Sequence, residues 1–308
     1  MAVYVNTNVS SLQGQRNLNN VNNSLNTTYQ RLSTGLRINS AKDDSAGLQI
    51  ADRMTSQING LNQGNRNSND GIALAQTIES GMDEISSMLQ KIRTLAVQAN
   101  NGTNTLEDRQ ALAKEANSLG AEVTRIAKQT KFGGKTVLNG GGTASTIYGA
   151  SSRGGNADAG RITFQVGANE GDMISLDVGN FTLSGIIKAA GAGNAASVTS
   201  KGGDAFHFSV AGTVATGVAG VITAIDKMIS VVDTQRATLG SMQNRLESSI
   251  RNQSNVSANQ SDARSRIRDA DFAEESSNLT QQNIIQQAAT SMLMQANSRP
   301  QLGLSLIG

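Results

Sequence analysis

The residues that could do chemistry are few and poorly spaced for it. His207 is the single histidine and there is no cysteine, so it lacks the companion ligands an ordinary zinc site requires. A solvent-facing place on a strand accounts for it more simply. Asp43-Asp44 offers adjacent carboxylates that could act as an acid/base pair or bind a hard cation. Their position after Ser40, with the S-x-x-D spacing of a capping box, suits a helix N-terminus better, where acids are favoured. Gly133-Gly134-Lys135-Thr136 has the residue types of a phosphate loop but not the G-x-x-x-x-G-K-[ST] spacing or a preceding strand. Arg264, Arg266 and Arg268 are interleaved with Asp262, Asp269 and Asp271. Nucleic acid would call for a basic patch of one sign, whereas mixed charge suits a salt-bridged, solvated or intersubunit face. The methionines fall mostly on apolar seams and read as core filler. No catalytic, cofactor-binding or metal-ligating set is expected, and so no enzyme.

Composition points to the elements that would position these residues. The 308 residues carry a net charge of +2, which draws the chain to neither nucleic acid nor an anionic membrane. Aromatics are 3%, tryptophan is absent and there is one proline. Large aromatics supply much of the buried area of ordinary cores, so slim cores of Leu, Ile, Val, Ala and Met are expected, as between long helices. Residues 1–30 contain no continuous apolar run of a secretory signal, and no stretch reaches the ~20 apolar residues of a membrane span.

The spacing of apolar residues predicts those helices. Leu18, Val21, Leu25, Leu32 and Leu36 form one stripe on a segment otherwise rich in Asn, Gln and Ser, a poor helix composition that needs a partner. Gly35 would end this helix, Arg37 to Asn39 would form a link, and Ser40 with Asp43 would start the next, with Leu48, Ile50 and Met54 opening its apolar face. Ile78, Met82, Ile85, Leu89, Ile92, Ala96 and Ala99 alternate steps of four and three, a heptad seam. Asn101-Gly102 signals a turn. Leu112, Ala116, Leu119, Val123 and Ile126 continue the rhythm, which predicts an antiparallel helical hairpin.

From Lys131 the pattern becomes β-like. Ile162, Phe164 and Val166, then Ile174, Leu176 and Val178, alternate around Gly167 to Gly171 and predict a β-hairpin. A second strand pair is expected near Ala205 to Val210. Helix resumes near Val218, with Ile222, Ile225, Ile229, Val232, Leu239 and Leu246 in a heptad interrupted by Arg236 and Gln243, a rod of roughly 60 Å. A polar stretch from Ser254 to Asp262 is expected to link it to a last helix with Ile285, Ala289, Met292 and Ala296, flanked by Leu279 and Leu293 and ended by Pro300.

The expected fold is mainly α: a long antiparallel coiled coil and helical bundle of N- and C-terminal segments around a small β-hairpin-rich middle. Three parts are expected: residues 1–43 with 265–308, residues 44–180 with 216–264, and a small variable excursion at 181–215. Burying one Leu or Ile gains only about 1.5–3 kcal/mol, while ordering the backbone costs about 1–2 kcal/mol per residue. The terminal pair is therefore expected to order only when neighbouring copies cover it.

Several sequence blocks together resemble bacterial flagellin. They are Asn6-Thr7-Asn8, the run from Leu32 to Met54 through Ser40-Ala41-Lys42-Asp43-Asp44, and Asn69-Asp70-Gly71-Ile72. Near the other end come Ser265-Arg266-Ile267, Asp269 to Phe272, Gln287-Ala288-Ala289-Thr290, Gln295-Ala296-Asn297 and Leu304-Ser305-Leu306. The middle is similar to flagellins only at Phe164 to Gly171. The resemblance implies a secreted, extracellular subunit that leaves by type III export and polymerises into the flagellar filament, with the terminal stripes at the filament core. It implies as partners further copies of the chain, an export chaperone, hook-associated junction proteins and a cap. A hook–filament junction protein shares parts of both ends and is the alternative. A peptidase of the kind some flagellins carry would require H-E-x-x-H, which is absent. The resemblance also implies a surface for a vertebrate Toll-like receptor at Leu89, Lys91, Arg93, Leu95 and Glu115. Lys91 stands there where Arg is usual and Thr94 where Glu is usual, and lysine cannot make arginine's forked contacts. Ser and Thr within 143–217 would be the acceptors if O-linked glycans are added.

Overall fold

The computed structural model describes residues 7–140, 147–148, 160–191 and 214–305. His207, the strand pair expected near 205–210 and much of the glycan-acceptor segment lie outside the described residues. The elements are α1 (Val9–Thr34), α2 (Ser45–Ala99), α3 (Leu106–Gln129), β1 (Lys131–Phe132), β2 (Lys135–Thr136), β3 (Gly160–Gln165), β4 (Met173–Val178), α4 (Leu183–Ala189), α5 (Val214–Arg268) and α6 (Phe272–Ser305). They fall into two compact units, Met1–Asn59 with Val256–Gly308, and Gly60–Asn255. No helix among the described residues is long and apolar enough to cross a membrane.

The unit from Gly60 to Asn255 has a continuous apolar core. Ile78, Met82, Ile85, Leu89, Ile92, Ala96 and Ala99 are all fully buried on α2, as their heptad spacing requires. Polar cross-links fix α5 antiparallel to α2: Arg93 to Asp226 at 2.6 Å, Arg236 to Asp83 at 3.1 Å, and Gln243 Nε2 donating to Glu79 at 2.9 Å. Arg236 and Gln243, which break the apolar pattern of α5, thus serve as rungs. The inward seam of α5 runs through Val221, Ile225, Met228, Val232, Leu239, Met242 and Leu246. Ile222 and Ile229, expected on that seam, are partly buried on its flank.

Helix α3 begins with a capping box, Thr105 and Asp108 each bonding the other's backbone, which satisfies two otherwise unpaired N–H groups. It buries Ala116, Gly120, Val123, Thr124 and Ala127. The β1–β2 turn is Gly133-Gly134, both at positive φ (56° and 82°). That conformation suits a two-residue hairpin and explains the glycines that faintly resembled a phosphate loop. β3 and β4 pair antiparallel, with Ile162 opposite Leu176 and Phe164 opposite Ile174, as the alternation predicts. Beyond β3, Val166 and Ala168 approach α2 at Gly64 and Gly60, where any side chain would collide with them. Gln253 donates to the Val166 carbonyl, and Asn67 to that of Gln165 at 2.9 Å. The segment expected to begin an excursion at 181 opens with Phe181 and the short α4, whose Leu183, Ile186 and Ile187 are buried in the core.

Three boundaries differ from expectation. The stretch Ser254 to Asp262 is no link: α5 runs through it to Arg268, 55 residues in all, because polar residues continue a helix wherever no Gly or Pro interrupts it. α6 continues through Pro300 and ends at Ser305. α2 starts at Ser45 rather than at Ser40, since Asp44 accepts from the backbone of Ala46 and Gly47 while Ser40 and Asp43 close a separate turn.

Candidate functional site

The terminal unit is built on α1 and α6. Asn8 caps α1 by accepting from Ser11 N–H at 3.0 Å, and Gly35 closes it at φ 71°, donating to the Arg31 carbonyl at 2.8 Å. α6 starts on Asp271, which accepts from Ala273 N–H at 2.8 Å. The helices run antiparallel, since Asn8 reaches the Ala296 carbonyl (2.7 Å), Asn22 accepts from Gln286 (2.8 Å), and Arg31 meets Glu275 (2.9 Å).

The α1 side of this seam is the expected stripe. Leu18, Val21 and Leu32 are partly covered and Leu25 is buried, but the heptad is completed by Ser11, Gly14 and buried Thr28. Leu36 lies beyond the helix and bridges Asp269 instead. Around it the two links run side by side: Arg37 N–H donates to the Arg268 carbonyl at 2.7 Å and Ala270 N–H to that of Gly35 at 3.0 Å.

On α6 the face turned toward α1 is offset from the most apolar stripe. The inward heptad is Glu275, Leu279, Gln282, Gln286, Ala289, Leu293 and Ala296, all partly or fully covered. Ala289 and Ala296 belong to both this and the expected stripe. Ile285 and Met292 do not, and remain 39% and 65% exposed. Two overlapping apolar stripes lie about 60° apart at 3.6 residues per turn. The polar rungs and Gly14, whose missing side chain admits Leu293, select the inner one. The outer stripe, with Ala288 and with Val9, Gln13 and Asn17 of α1, lines an open groove.

The remaining candidates separate by burial. Leu89 is fully buried and Leu95 nearly so, so neither offers a contact surface. Lys91, Arg93 and Glu115 are exposed, with Lys91 3.9 Å from Glu115. The hydrogen bond to Asp226 raises the pKa of Arg93. In the mixed-charge run Arg266 pairs with Asp262 at 3.0 Å along one helix, and Asp269 accepts from Ser265 at 2.7 Å. Backbone N–H groups of Ser40 and Asn39 hold the pKa of Asp43 below the ordinary carboxylate range. No cluster of His, Cys, Asp or Glu among the described residues could hold a metal ion. Met82, Met228 and Met242 are core residues, whereas Met173, Met292 and Met294 are exposed.

Two regions of the chain match families: residues 5–143 the bacterial flagellin N-terminal helical region, and residues 222–307 the C-terminal helical region. Over its whole length, and theirs, the chain is 37% identical to flagellin A of Vibrio cholerae serotype O1 and to flagellin A of Vibrio anguillarum. It is 36% identical, with the same coverage, to polar flagellin C of Vibrio parahaemolyticus. A Bacillus cereus flagellin crystal structure is 25% identical, covers 61% of this chain and 88% of its own, and superposes with a TM-score of 0.43. The class is a helical structural subunit. The chain belongs to the bacterial flagellin family, and its role is that of a subunit of the flagellar filament.

Proposed function

We propose that the chain polymerises through its terminal helix pair, residues 1–43 with 265–308, and that this pair becomes fully ordered only inside the polymer. The observation that carries this reading is the uncovered outer stripe of α6: Ile285 and Met292 stay exposed on a helix pair whose inner seam is interrupted by Ser11, Thr28, Glu275, Gln282 and Gln286. Copies of the same chain that cover this stripe add the apolar burial that two helices alone lack. Identical subunits joined head to tail by contacts that do not close form an open helical polymer.

On this reading the polymerisation residues are Leu18, Val21, Leu25 and Leu32 on α1, Leu36 in the link, and Leu279, Ile285, Ala289, Met292 and Ala296 on α6. The ones within the pair hold it together, and Ile285 with Met292 face other copies. Family membership supports export through the flagellar channel to the outside of the cell, an export chaperone over α6 before assembly, and junction and cap proteins at the filament ends. A Toll-like receptor would find Lys91, Arg93 and Glu115 accessible and would not touch Leu89.

Removing residues up to Leu36, or from Leu279 onward, tests the proposal. The truncated chains are expected to remain helical by circular dichroism and to add nothing to filament seeds under the electron microscope. Long filaments from either truncated chain would overturn the assignment.

A further inference from the structure

We propose that Asn101 is the chain's preferred site of spontaneous deamidation. Three Asn-Gly pairs occur, at 59–60, 101–102 and 139–140. In each, glycine leaves the following backbone nitrogen unshielded, because it has no side chain. That nitrogen can attack the asparagine side-chain carbonyl carbon wherever the backbone is free to bend toward it.

The fold separates the three. Asn59 and Gly60 lie inside α2, where the helix fixes the backbone and engages the Gly60 N–H. Gly140 is buried, and Asn139 is held by a backbone bridge to Asn180. Asn101 and Gly102 are both exposed in the turn between α2 and α3. The nitrogen of Gly102 makes no backbone hydrogen bond among the described residues, and a Cβ added at Gly102 would meet nothing within 4 Å beyond its chain neighbours. Thr103 N–H makes a long contact, 3.5 Å, with Asn101 Oδ1, which keeps the side-chain amide over the turn.

In the reaction the Gly102 nitrogen bonds to Asn101 Cγ, the Cγ–Nδ2 bond breaks, and Nδ2 departs as ammonia with the proton that Gly102 loses. Water then opens the cyclic imide at either carbonyl. One opening leaves a side-chain carboxylate; the other routes the main chain through Cγ as an isoaspartyl link. Either product places a negative charge beside the C-terminus of α2, whose last turn has no basic residue and whose dipole disfavours an anion.

The test is incubation of the purified full-length chain at mildly alkaline pH, followed by peptide mass spectrometry at all three pairs. Isoaspartyl methyltransferase labelling identifies the rearranged product. Asn101 is expected to convert at least several-fold faster than Asn59 or Asn139 in the folded chain, with the three rates converging in denaturant. Gly102→Ala, for which there is open space, is expected to suppress the reaction several-fold without unfolding the chain. Equal rates at the three pairs under native conditions, or an unchanged rate in the Gly102→Ala chain, would overturn the proposal.

Discussion

The two helical units use the same heptad rhythm with different contents. On α2, Ile78, Met82, Ile85, Leu89 and Ile92 meet the apolar seam of α5, and α3, α4 and the hairpins add further apolar side chains to one core. Along α1 and α6 the corresponding positions hold Ser11, Thr28, Glu275, Gln282 and Gln286 among the leucines and alanines. Only Leu25 and Thr28 of α1 are buried. Periodicity sets where a helix turns its face, but the number of layers over that face determines how much burial follows. A multilayered core can sustain its own order. A two-helix seam with polar rungs specifies pairing but buries little apolar surface.

The contrast can be broken most directly in the core. Leu89→Ala should lower the stability of the bundle by about 2–5 kcal/mol, read from thermal or denaturant unfolding. A much smaller loss would mean that the seam is no better packed than the terminal pair. Gly64→Ala should cost about 1–3 kcal/mol, because the added methyl meets the Val166 carbonyl and the hairpin must move. Hydrogen exchange across 160–178 would locate the loss, and unchanged protection there would count against hairpin docking at Gly64. Met292→Asp sharpens the comparison from the other side. It should leave monomer stability within about 0.5 kcal/mol, as exposed substitutions do, yet stop filament elongation. Normal elongation would remove the outer stripe from the assembly surface.

The smallest effect is acidic. The Asp43 carboxylate has its pKa lowered by the Ser40 and Asn39 N–H groups, so its contribution is present above the unfolded value of about 3.9. It is lost as pH falls through the lower folded value, because the unfolded state then binds more protons. NMR titration of Asp43 alongside amide exchange in 39–47 should show the turn loosening below about pH 4. A carboxyl titrating at the unfolded value would exclude this link.

Much of this molecule is local and therefore readable from the chain. The seam of α2, the stop at Gly35, the alternation of β3 and β4 and the turn at Asn101-Gly102 each follow from spacing or from a residue's own conformational preference. Gly35 and the α2 heptad act through neighbours at most a turn or two away, so no distant information is needed. Where two local readings competed, only tertiary contacts chose between them. Ser40 is the expected start of α2, and the backbone N–H groups of Ala46 and Gly47 bond to Asp44 instead. Ser254 to Asp262 could be link or helix, and no breaker stopped the helix. The outer and inner stripes of α6 share Ala289 and Ala296, and sequence hydrophobicity favours the one with Ile285 and Met292. The inner one won because Gly14 admits Leu293 and because Arg31, Asn22 and Asn8 reach partners far along the chain. A rotation of about 60° costs a helix nothing locally, so only the opposite helix could decide which face it presents.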